Sequence, residues 1–155
     1  MKNNMYIRYL LLFLILTPVA MADSYVVMSS TESAIEENVD LKDLKDIFLG
    51  HRVLWRNGER IFAAHIGKKS SHMIDFLNNV VSMNPRQYNK YWRRRLFSGK
   101  GHPPIELESD RKVLEYVHRT EGAIAVISSL PSKKYKGLHF FSPKKSENRL
   151  EPIED

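Results

Sequence analysis

The sequence predicts a small α/β domain whose sheet is mostly parallel or mixed and flanked by helices. Three observations carry that expectation. Short apolar runs alternate along the chain with segments of helical period, the interleaving that puts strands and helices into one α/β unit. The run AIAVI, residues 123–127, is apolar at every position and suits a strand covered on both faces. The length beyond the N-terminal segment is that of one domain, enough to fold on a hydrophobic core.

The N-terminal segment reads MKNNMYIRYLLLFLILTPVAMA. Lys2 and Arg8 make a basic start, residues 10–16 an unbroken apolar run, and Ala20-Met21-Ala22 a small-x-small site. Residues 1–22 therefore read as a secretory signal peptide cleaved after Ala22. A retained anchoring helix is the alternative, but the run is well short of the ~20 residues that span a bilayer. No stable membrane insertion is expected after cleavage. Residues 23–141 are then the folded domain, and residues 142–155 a polar, loose C-terminal tail. There is no cysteine, which excludes disulfides, thiol chemistry and thiolate metal sites. From Asp23 onward, 22 Lys and Arg stand against 18 Asp and Glu, a modest excess that favours anionic partners only weakly.

Each element has its own signal. Residues 24–28 (SYVVM) form a first strand running into a polar loop. Asp40 sits at an N-cap position before LKDLKDIFLG, where Leu41, Leu44, Ile47 and Phe48 share a face and Gly50 supplies the stop. Asn57-Gly58 makes a turn into a strand over residues 60–66. Beyond the polar loop 67–71, Met73, Phe76, Leu77, Val80 and Val81 fall at helical spacing. Asn84-Pro85 starts another helix, with Tyr88, Trp92 and Leu96 at i+4 steps and Tyr91 alongside. Gly99 and Gly101 end it, and Pro103-Pro104 prevent its return. Ser109 caps a helix that turns Val113, Leu114 and Val117 inward, and Gly122 breaks it before residues 123–127. Residues 138–141 add a last strand.

The stretch YWRRRLFSGKGHPP, residues 91–104, invites two functional readings. As a nucleic-acid patch it is poor: three consecutive arginines fan around a helix instead of forming a row, and Trp92 shares the stripe of Tyr88 and Leu96. As a phosphate loop it lacks the preceding strand, the glycine five residues before GK, and the Ser or Thr after the lysine. Most of it is expected to be scaffold.

A less conspicuous anion candidate lies in AHIGKKSSHMIDF, where a strand ends, a polar loop follows and a helix begins. Unpaired N–H groups at a helix start, the hydroxyls of Ser70 and Ser71, and the ammonium of Lys68 or Lys69 would all suit a phosphate or carboxylate. Plain N-capping by a serine is the simpler explanation of the same residues. The six histidines show no i, i+4 metal pair, and there is no Gly-x-Ser-x-Gly elbow, so neither catalysis nor a cofactor is expected.

Three pieces in order, LKDLKDIFLGHRVLWRNGERI, YWRRRLFSGKGHPP and VHRTEGAIAVI, resemble the phosphate-binding periplasmic proteins of ABC importers, and more closely their short substrate-binding-like members. The resemblance implies one lobe of a periplasmic-binding-protein type II fold, a periplasmic location and a small anion such as phosphate as ligand. Such binders follow the strand after the Asn-Gly turn with an arginine and a Ser-Gly-Thr loop at a helix start. Here His65 stands in the arginine's place, and Lys68-Lys69-Ser70-Ser71 lacks the glycine and threonine. The expected function is therefore solute binding with a degraded anion motif, the ligand residues being Lys68, Lys69, Ser70 and Ser71. The alternative is a non-enzymatic interaction module docking a sensor kinase, transporter or other envelope protein. Nucleic acid is not an expected partner.

Overall fold

The computed structural model describes residues 24–29, 39–144 and 149–153. The signal peptide expected over residues 1–22 lies outside them. Strands β1 (Tyr25–Ser29), β2 (Phe62–Ile66), β3 (Ile105–Leu107), β4 (Ala123–Ile127), β5 (Leu138–Lys144) and β6 (Arg149–Pro152) form one sheet, ordered β3-β2-β4-β1-β5-β6. β2 runs parallel to both β3 and β4, whereas β1 is antiparallel to β4 and β5, and β5 to β6. The sheet is mixed. Around it lie α1 (Leu41–Phe48), α2 (Ser71–Phe76), which continues as a π-helical segment Leu77–Val81, α3 (Pro85–Phe97) and α4 (Asp110–Arg119).

The capping signals are realised in detail. Asp40 and Asp43 close a reciprocal box at the start of α1, with Asp43 N–H on Asp40 Oδ1 at 2.7 Å. Asn84 and Gln87 do the same for α3, both bonds being 2.9 Å, and Pro85 occupies the first turn. Each box satisfies two backbone donors that a helix start leaves unpaired.

The core has two halves because side chains alternate across a strand. Val26 and Met28 of β1, with Ile124 and Val126 of β4, pack under α1, α2 and α3. Val27, Ala123, Ala125 and Ile127 face the other way, toward Val113, Leu114 and Val117 of α4. β4 is thus buried at every position, as its unbroken apolar run implies.

α3 sits across the end of α1 and completes it. The Tyr88 hydroxyl donates to Phe48 O at 3.0 Å, Tyr91 to Leu49 O at 2.6 Å, and Arg95 Nη2 to Gly50 O at 3.2 Å. These carbonyls belong to the C-terminal end of a helix, where intrahelical donors run out. Gly50 lies in the left-handed region at φ +66°, and a Cβ there would meet Trp92 Cη2 at 2.7 Å. Within YWRRR, then, Tyr91, Trp92 and Arg95 turn inward while Arg93 and Arg94 are exposed. The scaffold role expected of the stretch holds for Tyr91, Trp92 and Arg95, whereas most of its other residues are exposed.

Four expectations are corrected. Leu96 is not in the core: it is 46% exposed, whereas Tyr88 and Trp92 are buried. Steps of four residues overshoot a helical turn by about 40°, so a stripe extended over two steps drifts off the buried face. The second strand begins at Phe62, because Arg60 instead bridges Leu54 across the Asn57-Gly58 turn. β3 was not foreseen; only three residues long and behind two prolines, it has no period to read. The loose tail is also corrected. Residues 142–144 continue β5, and β6 pairs back on it with Phe141 opposite Pro152. A strand at the sheet edge needs no apolar run, so its sequence resembles a tail.

Candidate functional site

The carboxyl ends of the parallel strands β2, β3 and β4 meet on one side of the sheet, the place where open α/β sheets present ligand sites. The loop leaving β2 turns through a Ser70 N–H bond to Gly67 O at 2.9 Å and enters α2. Ser70 does occupy the N-cap with extended backbone, yet its side chain makes no capping hydrogen bond. The simple serine-cap explanation of this loop therefore does not hold in its usual form. Lys69 and Ser71 are exposed.

Lys68 is the exception, and its partner comes from another strand. Its backbone N–H donates to Glu106 Oε1 at 3.1 Å, and its ammonium lies 2.8 Å from Glu106 Oε2. Glu106 is in β3, directly opposite His65 in the strand register. Burial opposes its charged form, but the hydrogen bonds and charge of Lys68 outweigh that and hold the carboxyl below its usual range. One carboxylate of the protein thus takes both the backbone and the side-chain donor that an incoming anion would use.

His65 lies beneath, 1% exposed. Its Nδ1 is 2.7 Å from Ile66 O, and because a carbonyl only accepts, Nδ1 carries the proton. Burial pushes the pKa of this histidine down; Lys68 pushes the same way, and the Ile66 bond and Glu106 push back. A neutral ring so oriented offers Nε2 as an acceptor. Toward an anion the ring therefore presents an acceptor, not a donor.

A second carboxylate occupies the end of β4. Asp110, the first residue of α4, accepts the Ser128 N–H and hydroxyl at 2.9 and 2.6 Å, and the Ser129 N–H and hydroxyl at 3.0 and 3.0 Å. Neither Glu106 nor Asp110 is foreseeable as a donor-filling group from the sequence. The serine pair after a buried strand and the acid at a helix start are the signals, but nothing in the sequence joins them.

Beside the loop, a cavity of about 440 Å³ opens between His65 and Lys68 on one wall and Tyr88, Trp92, Arg93 and Leu96 of α3 on the other. Of the four expected ligand residues, Lys68 lines it. Among the described residues no group of His, Asp and Glu is arranged to hold a metal ion.

No protein-family model matches the chain, and no curated protein matches it. Among solved structures, the chain is similar to the crystal structure of PstS from Borrelia burgdorferi, at 19% identity and a TM-score of 0.47. The alignment covers 68% of this chain and 40% of that one, so the chain spans well under half of that protein's length.

Proposed function

We propose that the chain is an exported, non-enzymatic solute-binding-like lobe whose anion loop is largely occupied by its own carboxylate. The observation that supports this is the double engagement of Lys68 by Glu106. An entering phosphate has to displace that carboxylate or share Lys68 with it, next to a histidine that accepts. Donors from one lobe also leave the anion wet, where hydrogen bonds and charges are weaker than in a closed cleft. Phosphate therefore binds no tighter than the millimolar range, worth ~4 kcal/mol.

Titration of the chain beginning at Asp23 with inorganic phosphate, followed by nuclear magnetic resonance, tests this. Glu106→Gln frees the Lys68 donors and removes a repelling charge, so phosphate affinity should rise about fivefold, the equivalent of ~1 kcal/mol for a partly exposed charge. A micromolar Kd for the unaltered protein would sink the proposal. So would a Glu106→Gln variant that binds phosphate more weakly.

A further inference from the structure

α3 carries an outer face that meets the loop cavity only at its edge, through Arg93 and Leu96. From Ser82 to Ile105 the chain holds six Lys and Arg and no acid, while the rest from Asp23 onward holds 16 cations against 18 acids. The excess positive charge is therefore concentrated on this one helix and the turn after it. Arg86, Lys90, Arg93, Arg94 and Lys100 are all exposed, and among the described residues none of the five forms an ion pair. Arg86, Lys90 and Arg94 repeat at i, i+4 and so make one row along the helix. Arg95 is different, being fixed on Gly50 O and Lys100 O as scaffold.

The row ends in an aromatic side chain. Phe97 is 87% exposed and Leu96 46%, at the point where Gly99 (φ +67°) turns the chain back and brings Lys100 N–H onto Arg95 O at 2.9 Å. Beside them lies a shallow groove of about 620 Å³ lined by Lys90, Arg94 and Lys100 with no acid in its wall. Phe97 and Leu96 are adjacent exposed apolar side chains at the end of a row of exposed cations, the pairing of apolar and basic residues that interfacial helices use.

We propose that this face seats the protein on an anionic lipid bilayer. Arg86, Lys90, Arg93, Arg94 and Lys100 lie at the level of the headgroup phosphates, and Phe97 with Leu96 enters the headgroup–acyl boundary. The charge is complementary to such a surface, and each cation near it strengthens attachment. An acidic protein segment would match the cations too, but it would need a shaped pocket for Phe97. A bilayer interface takes an aromatic ring without shape complementarity. The contact is peripheral: no helix among the described residues is long and apolar enough to cross a membrane.

Co-sedimentation of the chain beginning at Asp23 with vesicles tests the proposal. Binding is expected to vesicles of phosphatidylcholine containing phosphatidylglycerol and not to phosphatidylcholine alone, and it should weaken with salt. Arg94→Gln should lower the partition about fivefold, and Phe97→Ser about tenfold, the loss expected for an apolar ring leaving the interface. Both positions are exposed, so the fold should be unaffected. A Phe97→Trp variant should bind as the unaltered protein does and blue-shift its emission on the anionic vesicles, which charge adsorption alone would not produce. Equal binding to both vesicle types, no binding to either, an unaffected Phe97→Ser variant, or capture by soluble polyglutamate in preference to vesicles would each overturn it.

Discussion

Trp92 and Leu96 are neighbours on one helix with opposite roles. Trp92 is 5% exposed, packed edge-on to Tyr88 and Tyr91, and its ring closes over Gly50. Removing it leaves a large void at the α1–α3 junction. Trp92→Ala should destabilise by ~3–5 kcal/mol in urea unfolding, as other large-to-small core changes do. Leu96→Ala removes a half-exposed side chain and should stay within about 1 kcal/mol. Equal losses for the two would mean that the stripe is buried along its whole length.

Between elements, the junction of the Asn57-Gly58 hairpin with β4 depends on one glycine. Gly122 adopts φ +72°, and a Cβ there would lie 2.5 Å from the Arg60 carbonyl oxygen and 3.2 Å from Trp55 Nε1. The Trp55 indole N–H donates to the Gly122 carbonyl at 3.0 Å, so the turn and the buried tryptophan are fitted to each other. Gly122→Ala should cost at least ~2 kcal/mol, about 1–2 from the left-handed backbone and the rest from moving Arg60. Chemical denaturation monitored by tryptophan fluorescence reads both effects, because Trp55 lies at the point of change. A variant that unfolds like the parent, with unchanged emission, would show that the turn relaxes without strain.

At the scale of the whole molecule, His65 and Glu106 of the loop site link stability to pH in different windows. His65 has its pKa lowered by burial, so the unfolded chain takes up that proton first. Stability should therefore fall as pH drops below about 6.5 toward the depressed folded value, with a slope of up to ~1.4 kcal/mol per pH unit. His65→Gln should flatten that slope; an unchanged slope would assign it to other groups. Glu106 acts lower: its folded pKa is depressed, so its contribution is present above the unfolded carboxylate range and is lost as pH falls through the folded value. The proposed export makes a separate prediction. The protein recovered from the periplasm should have an intact mass that begins at Asp23, whereas a mass retaining residues 1–22 would refute cleavage.

What the sequence by itself determined is everything written within a few neighbouring residues. Asp40 with Asp43, and Asn84 with Gln87, close boxes whose partners are three residues apart. The buried faces of α1 and α4 and the fully covered β4 follow from periods of a single turn or strand. Local spacing also marked the loop at residues 67–71 as the end of a strand before a helix. Only the tertiary structure decided what fills that loop. Glu106 reaches Lys68 across 38 residues because β3 pairs beside β2, and Asp110 reaches Ser128 across 18 because α4 begins where β4 ends. The burial that favours the neutral form of His65 is likewise set by the packed sheet, although the adjacent Ile66 carbonyl is what leaves Nε2 as the acceptor. Leu96 and Phe97 are exposed at the end of α3, although an i+4 count alone places the first with the core and leaves the second unassigned. Contacts between distant residues depend on which strands lie side by side and how far each helix extends over its neighbour. Those are properties of the packed sheet, not of any window of the chain.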